Sequence, residues 1–288
     1  MSPNLSLILS ILLASVPAMI WSYIFYKKDE VAKTKAVQTF ILGIASVLPI
    51  LLYKFSWKYI PEANIFNYTS TMQTDIIGFA SLTLPLGSVL AFMFVGVIEE
   101  YMKHIVVVKA DRGFFRNIDD AIEFSIIAAL GFAFLENILY FFYIWQYQDT
   151  QIVLISFVFR SIFSTFAHIL FSGVYGYFYG LAYFADPVWA EEQRKKRHPL
   201  IDFLYSTFHF KKNRTFAAEK ISEGLICAVA LHAMFNIFLE MGVTVFMVPF
   251  LFFGYSFLDY LFKKKENLKK YGYITGEYDE KLLPVKQS

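Results

Sequence analysis

Four ionisable residues, Glu99, Glu100, Lys103 and His104, stand inside the apolar run GVIEEYMKHIVVVKA at positions 96–110. Further along, other polar groups are set in equally greasy surroundings. These are Glu136 and Asn137 in GFAFLENILYF, Arg160 and His168 in FRSIFSTFAHILFSG, and His232 and Asn236 in LHAMFNIF. Charges placed in hydrocarbon are costly, so they pair with one another and mark working sites. A carboxylate withdrawn from water suits a general base. Histidines with a carboxylate (here His168, His232 and Glu136) suit a zinc-like ion with one position left for water. Without metal, a histidine and an asparagine amide would stabilise an oxyanion. The residues leave both chemistries open, and the identity of any cofactor with them.

Helical spacing places these groups. Glu99 and Lys103 lie four apart, as do Glu100 and His104, and as do His232 and Asn236, so each pair shares a helix face. Counting about 1.5 Å per residue from the inner edge puts Glu100 about 12 Å deep, His232 about 16 Å, and Glu136 and His168 about 22–24 Å. Side chains that cannot face lipid at those depths must face each other in a shared wet chamber.

The elements that carry them are membrane helices. The chain has 288 residues, is 57% hydrophobic and only 17% charged, where soluble proteins run nearer about 25%. Seven apolar segments are expected: Leu5–Tyr26, Ala36–Phe55, Ile76–Val108, Asp120–Ile144, Ile152–Phe184, Ile221–Glu240 and Val243–Phe262. The third and fifth exceed the roughly 20 residues that a span needs, so a kink at Pro85 and loosening at Gly173, Gly176 and Gly180 are expected there. The fold class is all-α, a polytopic bundle of about seven spans forming one membrane domain over 1–288. Its catalytic core covers about 76–242, with a basic connector at 186–220 and a tail at 263–288. The run MSPNLSLILSILLASVPAMIW lacks a basic start and reads as a retained first span.

Lysine and arginine set the orientation. Along the chain the connecting segments hold four, one, three, none, eight, none and seven of them. Basic loops face the cytoplasm, so the N-terminus is expected outside and the C-terminus cytoplasmic, in the cell membrane. The connector, with its run RKKRH, reads as an inside anchor or a contact for anionic headgroups. A net charge of +2 gives no nucleic-acid footprint, and the lone Cys227 allows no internal disulfide. NYT at Asn67–Thr69 is a glycosylation sequon on the outward side.

The motifs resemble a known family. EEYMK fits E-E-x-x-K, FAFLEN overlaps F-x-x-x-E-N, and His168 and HAMFN follow in order. This pattern is similar to the PrsW membrane proteases, the glutamate branch of the superfamily that includes the CAAX prenyl endopeptidases and the Abi proteins. The resemblance covers roughly Phe94–Phe238. It implies a membrane-embedded endopeptidase whose substrate is a membrane-anchored protein, of the kind exemplified by an anti-sigma factor cut first at its site one. It also implies roles by position: Glu99 and Glu100 as the essential pair, one of them activating water, and Lys103 as the motif's basic end. His168, His232 and Asn236 match the later family positions. Glu136 stands where the CAAX enzymes carry a histidine, which argues against prenylated substrates. Asn137 and Arg160 are expected to support the site.

Plainer alternatives exist for each group. Lys103 with the glutamates makes an ordinary ion pair, Glu136 with Asn137 or His232 with Asn236 glues helices, and Arg160 neutralises a carboxylate. Two other functions compete with hydrolysis: a non-catalytic scaffold like the gamma-secretase subunit related to this superfamily, and a proton- or ion-coupled transporter. The absence of a repeat disfavours the transporter.

Overall fold

The computed structural model describes residues 2–25, 30–68, 75–79, 82–110, 115–195, 198–240, 245 and 247–266. Thr69 of the sequon, the middle of RKKRH and most of the C-terminal tail lie outside the described residues. The protein is a polytopic helical bundle. In chain order come α1 (Pro3–Phe25), α2 (Glu30–Ala45), α3 (Leu48–Ser56), strands β1 (Asp75–Phe79) and β2 (Leu82–Pro85), and α4 (Leu86–Ala110). Then follow α5 (Ile118–Tyr147), α6 (Thr150–Phe159), α7 (Thr165–Tyr183), α8 (Ala185–Lys195), α9 (Pro199–Phe208), α10 (Lys212–Glu240) and α11 (Met247–Glu266). Among the described residues five stretches are long and apolar enough to cross a membrane: Pro3–Tyr23, Lys33–Ser56, Ile118–Tyr147, Thr150–Tyr183 and Lys212–Glu240. The 25-residue α4 has the length of a span but carries Glu99, Glu100, Lys103 and Lys109.

The third apolar segment departs from expectation. Its first residues are not helix but the antiparallel β1–β2 hairpin, in which Asp75 is opposite Pro85 and Phe79 is opposite Leu82. Helix α4 starts directly after Pro85. Proline lacks the N–H that a preceding turn would require, so Pro85 sets a start rather than a kink. The second segment also bends. Ser46 Oγ donates to the Gly43 carbonyl at 2.6 Å, and Pro49 opens α3.

Helix α5 is the axle. It starts on a cap, with the Asn117 side chain accepting from the Asp120 amide at 2.8 Å and acidic Asp119 and Asp120 in its first turn, two residues earlier than the sequence suggested. It is buried over most of its length, because α1, α2, α4 and α7 all pack on it.

Glycines make those approaches close rather than loosening them. Gly43 of α2 faces the Ala128 carbonyl of α5, and Gly131 of α5 faces the Phe40 carbonyl of α2; a Cβ at either position would collide. On α7 a methyl at Gly176 would sit 2.7 Å from Ile122 Cα, and one at Gly180 would sit 2.8 Å from Ile118 Cγ2. These seams are the small-residue interfaces of membrane helices, where dispersion replaces the hydrophobic drive.

The fifth segment breaks at Arg160–Ser164, a π-helical turn between α6 and α7. The Thr165 amide closes the turn on the Arg160 carbonyl, the i to i+5 pattern of a π turn. Thr165 Oγ1 donates to the Arg160 carbonyl at 2.9 Å, and Trp21 Nε1 of α1 donates to the Ser161 carbonyl at 3.1 Å. The basic connector is not irregular either. Helices α8 and α9 and the first turns of α10 fill it, and Val188, Trp189, Ile201 and Phe216 bury into the main core. Within the segment the Trp189 ring lies 5.4 Å from that of Phe216 and 4.8 Å from that of His198, contacts between residues far apart in sequence.

The two kinds of glycine contact give a contrast. Gly176→Val overpacks the α5–α7 seam and is expected to cost at least about 1–3 kcal/mol, seen as a lowered Tm in detergent. Gly96→Ala, whose added methyl would lie 3.5 Å from the Val229 carbonyl, is expected to leave Tm within about 1 °C of the parent.

Candidate active site

The sequence-predicted groups converge. Helix α4 supplies Glu99, Glu100 and Lys103, α5 supplies Glu136 and Asn137, the π turn supplies Arg160, α7 supplies His168 and α10 supplies His232. Glu99, Glu100, Lys103, Asn137, His168 and His232 are each buried to 6% exposure or less. They form one polar chain through the bundle.

At its centre Lys103 Nζ donates to Glu100 Oε1 at 2.7 Å and meets His168 Nδ1 at 3.1 Å. An ammonium has only donors, so Nδ1 must accept. The neutral ring then carries its proton on Nε2 and donates it to Glu136 Oε2 at 2.9 Å. Glu136, whose side chain keeps 36% exposure, also meets Arg160 Nη2 at 3.0 Å. Arg160 Nε donates to Asn137 Oδ1 at 2.6 Å, and its guanidinium lies 4.4 Å from the Tyr140 ring centre. Asn137 Nδ2 reaches Thr165 Oγ1 at 3.3 Å.

On the other side of Glu100, Oε1 accepts from His232 Nδ1 at 2.7 Å. The other ring nitrogen, Nε2, faces Glu99 Oε2, 3.4 Å away. That oxygen is buried and has no aligned hydrogen-bond partner among the described residues.

One atom from each of Glu100, His168 and His232 lies within 4.8 Å of the others, a set able to hold a metal ion. The donor types, imidazole nitrogen with carboxylate oxygen, suit zinc. Glu136 belongs to the far side of His168, on the nitrogen opposite Lys103. Aromatic rings wall the chain. Phe132 stands 4.4 Å from Lys103 Nζ, and Phe171 stacks on His232 at 5.2 Å.

Some expectations land elsewhere. Lys103 pairs with Glu100, three residues back, rather than with Glu99, which turns to His232. Asn236 is half-buried, one turn beyond His232, and among the described residues no hydrogen bond joins it to the cluster. His104, read from the sequence as nearer the interface and outside the site, meets Tyr175 Oη. Phe171 and Thr165 were not anticipated. Thr165 lies three residues before His168, and nothing in its type announces a role. Phe132 opens the FAFLEN motif and carried a signal only as part of it.

Residues 32–258 match the family described as "PrsW family intramembrane metalloprotease". The chain belongs to the PrsW family. Protease PrsW of Oceanobacillus iheyensis is 27% identical over 250 residues, covering 84% of this chain and 90% of that protein. Protease PrsW of Shouchella clausii is 29% identical over 182 residues, 61% of this chain and 71% of that protein. Protease PrsW of Clostridioides difficile is 23% identical over 235 residues, 79% of this chain and 78% of that protein. No solved structure matches the chain. The PrsW match spans α4, α5, α7 and α10, so membership and the convergent polar chain concern the same helices. This member is an integral membrane peptidase.

The outer end of the chain gives a test. Arg160 and Glu136 keep 11% and 36% side-chain exposure, so their pair should exceed the roughly 0–1 kcal/mol of an exposed one. A double-mutant cycle with Arg160→Met and Glu136→Gln, read by denaturation in detergent, is expected to show coupling above about 1 kcal/mol. Additive effects would show the pair to be idle.

Proposed function

We propose that this chain hydrolyses a peptide bond in a membrane-anchored protein, with Glu99 as the proton acceptor for the attacking water. The observation that carries this assignment is the buried, unaligned Glu99 Oε2 facing His232 Nε2. Glu100 is already engaged by Lys103 and His232, so it is the poorer base of the two. Glu100, His168 and His232 are the residues that would hold a divalent ion such as zinc. When bound there, such an ion supplies Lewis acidity to water and to the scissile carbonyl. Glu99 takes the proton from water and returns it to the leaving amine. Glu136 holds His168 in one tautomer, the part that a carboxylate plays behind a histidine ligand, and Arg160 and Asn137 hold Glu136. In this reading Glu136, which the sequence suggested as a ligand, orients one instead. Asn236 stays available for substrate.

The catalytic core is about 76–242. Seven crossings of the cell membrane place the N-terminus outside and the C-terminus inside, with α4 and α11 as the spans that join the five apolar ones. An anti-sigma factor, cut at its first site, is the substrate type that the family suggests.

Separate variants divide the labour. Glu99→Gln is expected to lower turnover of a membrane-tethered substrate by about 100- to 10,000-fold, while bound metal, measured by elemental analysis, stays at the parent level. Glu100→Gln is expected to lose both. Chelation should abolish turnover and added Zn2+ should restore it. Turnover that survives both chelation and Glu99→Gln would remove this mechanism.

A further inference from the structure

Lys103 is more than the end of a motif. Its Nζ occupies Glu100 Oε1 at 2.7 Å and His168 Nδ1 at 3.1 Å, which are donor atoms on two of the three residues able to hold a metal. It is 2% exposed and rests against the Phe132 ring, so the ammonium has no water to retreat to without moving out of the cluster. We propose that Lys103 is a tethered cation that closes the metal site in the metal-free protein, and that a divalent ion and the lysine contact are mutually exclusive. The inference rests on reading Glu100, His168 and His232 as the metal set.

The charges explain why such a device is useful. Glu100 pairs directly with Lys103, and Glu136 with Arg160. Without Lys103 the buried Glu100 carboxylate would lose its cation in a low-dielectric bundle, which is strongly destabilising. With Lys103 present the empty site is stable, but an incoming divalent ion must both displace the ammonium and bear its repulsion. The lysine therefore weakens metal binding in exchange for a folded metal-free enzyme, and metal supply sets how much of the enzyme is active.

The test uses full-length protein in detergent, stripped by chelation. Zn2+ affinity is measured by competition against Co2+, whose visible absorption reports ligation. Lys103→Met, and Lys103→Gln as a second neutral variant, are expected to bind Zn2+ about 10- to 100-fold more tightly than the parent. Lys103→Arg, which keeps the charge, is expected to show no gain. The stripped neutral variants should melt below the stripped parent and gain more in Tm from Zn2+ than the parent does. Binding that is abolished by His232→Ala but unchanged or weakened in both neutral variants overturns the lysine proposal and leaves the metal reading standing. If neither the parent nor the neutral variants bind Zn2+ or Co2+, the metal reading falls, and the lysine proposal falls with it.

Discussion

A charge buried in this bundle has to be met by partners from within it, and the Lys103 ammonium is the partner that two other groups share. It joins Glu100 of its own helix to His168 of α7, and through them His232 and Glu136. In water such contacts are worth little, because each group is as well solvated apart. In an apolar bundle the comparison is with an unpaired charge, and the same contacts become obligatory. The cluster therefore specifies which faces of α4, α5, α7 and α10 meet, and it does so more narrowly than any aliphatic contact could.

The backbone has to permit that meeting. Glycine seams at Gly43 and Gly131, and at Gly176 and Gly180, bring α2, α5 and α7 to backbone distance. The cluster thus stands on helices that pack without side-chain spacers. The π turn at Arg160–Ser164 then re-aims the chain just before α7. Side chains of Thr165 and of Trp21 on α1 donate to its carbonyls. A helix without chemistry of its own, α1, thereby braces the turn that presents Arg160 to Glu136. Irregular winding is tolerable at this depth only because protein donors satisfy what it exposes.

The polar chain also has a direction. Glu136 is partly exposed while Glu99, Glu100 and His232 are nearly sealed, with Phe132 and Phe171 against the buried end. At the sealed end each electrostatic interaction is correspondingly strong.

What could be read in the residues follows from costs that tertiary structure does not change. An apolar run of sufficient length is a membrane helix in any fold, and ionisable residues within it must meet others like them; this is why Glu99, Glu100, Lys103, Glu136, His168 and His232 could be named from their setting alone. The hairpin before α4, the helices of the basic connector and the role of the glycines were not legible, because each depends on what lies opposite. By itself the sequence determined a helical membrane bundle, the family motifs and the residues that would cluster, through hydropathy and spacing along single helices. Only the tertiary structure decided that Lys103 takes Glu100 rather than Glu99, that Glu136 stands behind His168, and that, among the described residues, Asn236 makes no hydrogen bond to the cluster and Glu99 Oε2 faces His232 with no aligned hydrogen bond. Pairing across helices depends on rotation and crossing distance, and those are set by the glycine seams and the π turn rather than by any local periodicity.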